Sequence, residues 1–92
     1  MYVILMYDIN ADEGSASVQR KIFKTCKRYL THVQFSVFEG EISDAQLFAL
    51  KTEIDRCIRK DLDSIVIFKS RNEKWLAKEV IGKNTNEDIN FI

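Results

Sequence analysis

The chain of 92 residues predicts an α+β sandwich, one sheet with two helices on one of its faces. Two apolar runs rich in β-branched and aromatic residues, YVILMY at 2–7 and SIVIF at 64–68, read as strands. Two longer segments, 15–30 and 43–60, carry apolar residues at helical spacing. Their order alternates strand and helix within a length that supports one core and no more.

The first strand is expected over Tyr2 to Ile9. Alternation sends Val3, Leu5, Tyr7 and Ile9 to one face and Tyr2, Ile4, Met6 and Asp8 to the other, so both faces are apolar until Asp8. A polar loop at 10–14 follows, and Ser15 or Ser17 can cap a helix reaching about Leu30, with Asp12 and Glu13 near its positive end. Val18, Ile22, Phe23, Cys26, Tyr29 and Leu30 share one arc of that helix. Arg20, Lys21, Lys24, Lys27 and Arg28 fill another, without an acid among them.

THVQFSVFEGEI, Thr31 to Ile42, is strand-like in composition, with Val33, Phe35 and Val37 alternating against polar residues. Ser43 with Gln46 three positions later is a capping-box pattern for a second helix to about Lys60, buried through Leu47, Leu50, Ile54, Cys57 and Ile58. A strand near Ser64 to Lys69 and a short one at Trp75 to Ile81 complete the pattern. Residues 1–81 are expected to form one domain. Residues 82–92 form a tail whose Asn90, Phe91 and Ile92 can add an edge strand. Because two strands are apolar on both faces, a sheet covered by helices on one side only would leave a hydrophobic patch in water. A second copy packing sheet to sheet removes it, so a homodimer is expected.

Composition narrows the function classes. With 46% hydrophobic and 30% charged residues the chain is an ordinary globular protein rather than a disordered one. No apolar run approaches the roughly 18 residues of a membrane span, and the start lacks a basic leader with a cleavage pattern, so a cytoplasmic location is expected. The net charge is zero, which argues against nucleic-acid binding through the overall field, so any such binding must come from a local patch such as the basic arc. Cys26 and Cys57 have no CxxC spacing and fall on apolar helix faces, as buried free thiols do.

Candidate chemistry is sparse. Asp8 either solvates the end of its strand or, with the same residue of a second copy across a two-fold axis, holds a hard divalent cation such as Mg²⁺ or Mn²⁺. The basic arc is either a solvated helix face or a track for a phosphate backbone. His32, the one histidine, falls on a strand as a structural residue, and Glu39 and Glu41 read as strand-end charges. No Ser-His-Asp set, zinc pattern or phosphate loop is present.

YDI closing the first strand, the basic helix and, above all, VQFSVFEGE at 33–41 resemble the small CRISPR-associated spacer-acquisition proteins, the Cas two family. The resemblance extends over about Met1 to Lys69. It implies a ferredoxin-like βαββαβ fold with one antiparallel sheet, a sheet-to-sheet homodimer, and partnership with the Cas one integrase in antiviral defence. It also implies Mg²⁺, with Mn²⁺ as a possible substitute, bound at Asp8 as the catalytic residue of a metal-dependent endonuclease acting on RNA or DNA. The alternative it leaves is a non-catalytic DNA-binding adaptor that scaffolds the integrase. Two strands must then lie between the helices, which calls for a kink or tight hairpin around Ser36. Family members often carry arginines just after the first loop, where this chain has GSAS; Arg20 and Lys21 are the nearest counterparts.

Overall fold

The computed structural model describes residues 1–82, and the strand expected at 90–92 lies outside them. Seven residues of YVILMYD form β1 (Tyr2–Asp8), followed by α1 (Ser15–Tyr29), β2 (Thr31–Gln34), β3 (Val37–Glu41), α2 (Asp44–Cys57) and β4 (Ser64–Ser70). The strands make one antiparallel sheet in the order β2-β3-β1-β4. This is the expected ferredoxin-like βαββαβ architecture.

β1 is central because its residues are apolar on both faces, and a central strand is the one place where both backbone edges are also paired. Its pairing with β3 runs only from Tyr2 to Met6, whereas its pairing with β4 continues to Asp8, opposite Ser64. Val3 and Leu5 point to the helices and are fully buried, together with Ile22 and Cys26 of α1, Phe38 of β3 and Leu50 of α2. On the opposite face Ile4 faces Phe68 and Met6 faces Val66 across the β1–β4 pair. Phe68 is 53% exposed and Val66 46% exposed, so in the single chain this face is an open apolar surface. At one end of it Glu39 is buried and takes the Lys78 ammonium.

The β2–β3 connection is the tight hairpin required between the helices, turning on Phe35 and Ser36 with a register shift between His32 and Gln34. Phe35 has φ +42, a left-handed conformation that costs a residue with a Cβ about 1–2 kcal/mol. The capping box of α2 is present in both directions: the Ser43 hydroxyl accepts from the Gln46 N–H, and the Gln46 side chain accepts from the Ser43 N–H.

Three element expectations are corrected. α1 is capped by Gly14 and not by a serine; the Asp12 carboxylate accepts the Gly14 N–H, and the Asp12 carbonyl accepts from Ser15. α2 stops at Cys57, short of Lys60, because the Arg59 N–H donates to the Asp63 carboxylate instead of extending the helix. Residues 75–81 form no strand: a 3₁₀ turn at Glu73–Trp75 is followed by chain without regular pairing. The Asn72 side chain accepts from the Lys74 N–H and starts that turn where a strand would otherwise begin. Both cysteines are free, Cys26 buried and Cys57 half-buried; burial pushes the Cys26 thiol up to about 12.

The loop that follows β1 is tied to the loop that precedes β4. The Asp63 side chain is fully buried and accepts from the backbone N–H groups of Asn10 and Arg59 at 2.9 and 3.0 Å. The Arg59 guanidinium binds both Asp63 oxygens, and also reaches the Asp12 carboxylate at 2.6 Å and the Asn10 carbonyl at 3.0 Å. This latch fixes the backbone two residues beyond Asp8. The Arg59 guanidinium first, and then the two backbone donors, hold the Asp63 carboxyl at about 2, below its usual 3.8. Its contribution to stability is therefore complete above pH 4 and is lost as pH falls toward 2. Asp63→Asn should lower the thermal midpoint at pH 7 by about 5 °C or more. Scanning calorimetry should show the gap from wild type closing between pH 4 and 2. A gap independent of pH would mean that the carboxylate's charge has no part in the latch.

Candidate functional site

Asp8 is where the pairing of β1 becomes one-sided. Past Met6 the β3 edge gives way to the hairpin tip, whose Ser36 carbonyl accepts from the Tyr7 N–H at 3.2 Å. A cavity of about 570 Å³ opens there, lined by Asp8 and Tyr7 from β1, Gln19 and Arg20 from α1, and Phe35 and Ser36 from the hairpin. Asp12 and Asp63 are engaged by Arg59, whereas Asp8 makes no ion pair or side-chain hydrogen bond among the described residues. It is an exposed carboxylate and, among the described residues, the only one lining the cavity.

The rest of the cavity supplies binding groups rather than a base. Burial, and to a lesser degree Cys26, raises the Tyr7 phenol above its usual value, so it stays protonated at neutral pH. His32 is committed elsewhere. Its ring lies 4.9 Å from both Phe23 and Phe38, and its Nε2 is 2.8 Å from the Phe35 carbonyl oxygen. A carbonyl only accepts, so Nε2 carries the proton and donates. His32 is a clamp on the hairpin tip.

The five cations of α1 divide into three groups. Arg20, Lys24 and Lys27 line a second groove of about 570 Å³ around Phe23, with Lys27 Nζ 5.9 Å from the ring centroid. Arg28 lines the same groove but is paired with Glu53 of α2, which also accepts from the Tyr29 hydroxyl at 2.5 Å. Lys21 lies on the other flank, near Cys57 at the end of α2; burial raises that thiol above its usual value, and Lys21 offsets part of the rise. Arg20 and Phe23 line both cavities, so the basic groove leads to Asp8. At 1.5 Å per residue, Arg20 to Lys27 spans about 10 Å, room for about three successive phosphates.

Among the described residues no group of three or more His, Cys, Asp or Glu could hold a metal ion. A single exposed carboxylate has the hard oxygen donors that Mg²⁺ prefers. The cation is commonly held by one or two carboxylates, with water and substrate phosphate completing the shell. The donor type thus fits Mg²⁺, while the donor number in one chain is at its lower limit.

Two features of the site were not anticipated from sequence. The Arg59–Asp63 spacing of four carried a detectable ion-pair signal, but on a segment read as the end of a helix. Phe35 carried none, because nothing in VQFSVFEG marks a left-handed residue.

The chain matches the family described as CRISPR associated protein Cas2 over residues 1–78. It is 52% identical over 92 residues to a Fusobacterium nucleatum protein named CRISPR-associated endoribonuclease Cas2, covering all of this chain and 87% of that one. The crystal structure of Streptococcus pyogenes Cas2 superposes with a TM-score of 0.75 at 27% identity, over 87% of this chain and 99% of the other. A second crystal structure, titled cas2, gives 0.76 at 34% identity over 100% and 97% of the two chains. With its fold and its sequence matching over most of their length, this chain belongs to the Cas2 family of CRISPR-associated proteins.

Proposed function

We propose that this chain is a metal-dependent endonuclease that hydrolyses phosphodiester bonds of RNA or DNA, working in the cytoplasm as a homodimer beside the Cas one integrase in spacer acquisition. The observation that carries this reading is the Asp8 cavity: an unpaired carboxylate at the mouth of a basic groove. The endoribonuclease name borne by the Fusobacterium relative supports it.

Lys24 and Lys27 hold the strand by its phosphates, and Arg20 carries positive charge to the scissile group beside Asp8. The open apolar face of Ile4, Met6, Val66 and Phe68 supports the dimer, since Asp8 shares that face with them. A two-fold axis near it joins two Asp8 carboxylates, raising the donor number to two. The two Asp8 carboxylates would hold Mg²⁺ there, or Mn²⁺ in its place, and the bound cation would neutralise charge on the phosphate and make a water more acidic. In the overall reaction a water oxygen bonds to phosphorus, one ester P–O bond breaks, and the proton ends on the leaving oxygen. The Tyr7 phenol, which stays protonated at neutral pH, supplies no base beside Asp8.

A second reading, the non-catalytic adaptor that spaces two integrase partners on DNA, is favoured by one observation: among the described residues Asp8 is the sole carboxylate of its cavity.

Asp8→Asn should reduce cleavage of labelled single-stranded RNA and duplex DNA by at least about 100-fold in Mg²⁺ or Mn²⁺. EDTA should abolish cleavage by wild type. Activity that survives both treatments would transfer the case to the adaptor. Lys24→Glu with Lys27→Glu should weaken nucleic-acid binding and reduce the slope of log K against log salt by about 1.5, read by fluorescence anisotropy across a salt series. Phe68→Asp should convert a dimer to a folded monomer in sedimentation analysis, because a charge on this face is solvated in one copy and desolvated between two; a variant that remains dimeric would place the interface elsewhere.

A further inference from the structure

The hairpin tip holds a contradiction that packing does not resolve. Phe35 sits at φ +42, where glycine or asparagine is easily accommodated, yet its side chain is 87% exposed and gains almost nothing from burial. The strain is held rather than relaxed: the His32 ring donates to the Phe35 carbonyl, and the Tyr7 N–H fixes the Ser36 carbonyl of the next residue. His32 is itself wedged between Phe23 and Phe38. The core thus pins an aromatic ring in solvent at the edge of the cavity that contains Asp8 and Arg20.

We propose that Phe35 is a stacking platform for one unpaired nucleobase, so that the site takes single-stranded nucleic acid in preference to a duplex. This rests on the reading of the Asp8 cavity as a nucleic-acid site. Phosphates follow Lys27, Lys24 and Arg20 toward Asp8, and the base next to the held phosphate turns outward onto the Phe35 ring. A base inside a duplex has its faces already stacked and cannot take this partner, whereas every unpaired base offers a π-face. An aromatic with two side-chain torsions on a pinned backbone loses little freedom on stacking, which accounts for a bulky residue at a position where glycine would be more stable.

The test measures binding of 12-nucleotide single-stranded RNA, single-stranded DNA and the corresponding duplexes by anisotropy in EDTA, using wild type, Phe35→Ala, Phe35→Gly and Phe35→Trp. Phe35→Ala and Phe35→Gly should each weaken single-strand binding about tenfold. They should leave duplex binding and the salt slope unchanged, because no phosphate contact is lost. Phe35→Trp should restore single-strand binding. Phe35→Gly should raise the thermal midpoint as it lowers affinity, which separates a lost platform from a damaged fold. Stronger loss on RNA than on DNA would assign the natural strand to RNA, and the reverse to DNA. Equal loss on single strands and duplexes, unchanged binding, no binding of single strands by wild type, or a monomer produced by Phe35→Ala would each overturn the proposal; the last would place the ring in a contact between copies. Cleavage by wild type in Mg²⁺ is scored separately. Selective loss of single-strand binding in a protein that cuts nothing removes the catalytic reading and keeps the platform, and normal cutting with unchanged affinities does the converse.

Discussion

The structure depends on β1 having no polar face until its last residue. A strand apolar on both sides and paired on both edges has to be central. Once it is central, Val3 and Leu5 require helices above them, while Ile4 and Met6 require something below. α1 and α2 meet the first requirement with Ile22, Cys26, Leu50 and Ile54. The second is not met within the described chain, where Val66 and Phe68 extend the same uncovered surface. A central strand also brings its C-terminal end to a place where neighbouring elements have stopped, which is why Asp8 borders a cavity rather than a packed layer.

The position of that end is set by polar contacts that the hydrophobic pattern does not encode. On one side the Arg59 guanidinium and the Asp63 carboxylate grip the backbone at Asn10, across a separation of about fifty residues in sequence. On the other, the hairpin tip is bonded to Tyr7 and clamped by His32. Asp8 thus projects from a strand terminus fixed on both flanks. Preorganisation of this kind matters for a group with few helpers, since a lone carboxylate cannot offset misplacement with additional ligands. The deep burial of Asp63 and the exposure of Asp8 are complementary: one acid is wholly used in holding the loop, which leaves the other free.

The architecture was legible wherever periodicity governs it. The alternation of YVILMYDI, the helical spacing of Ile22, Cys26 and Leu30, and the Ser43–Gln46 capping box all appear in the structure as the residues imply. The remaining parts were decided by single long-range polar contacts. Asp63 draws the Arg59 N–H away from α2, and so the helix ends three residues before Lys60. Asn72 starts a 3₁₀ turn, and the chain through Ile81 then makes no strand although its composition suits one. At the site, Asp8 and the basic face could be named from residue type and helical geometry. The division of that face could not, because it depends on Glu53 arriving from α2 to take Arg28. Phe35 was seen only as part of an alternating strand, since a left-handed φ on a phenylalanine contradicts its own local preference and is imposed by the His32 clamp.

A single carboxylate in the cavity, among the described residues, would constrain how the proposed site works. The basic groove and the exposed Phe35 ring lie within one chain, so on the proposed reading each copy would hold a strand alone. On the proposed reading a divalent cation between two Asp8 side chains would belong to neither copy, and its affinity would depend on the spacing between the two sheets. Binding and hydrolysis would then respond to different physical variables. Binding would fall with salt, because phosphate contacts release counterions, whereas hydrolysis would fall with dilution or with any partner that changes the distance between the two sheets. A protein that docks against the dimer and separates the Asp8 pair by a few ångströms would leave strand binding intact while removing the metal site. The endonuclease and the adaptor would on this reading be two settings of one interface, with the distance between two exposed carboxylates selecting between them.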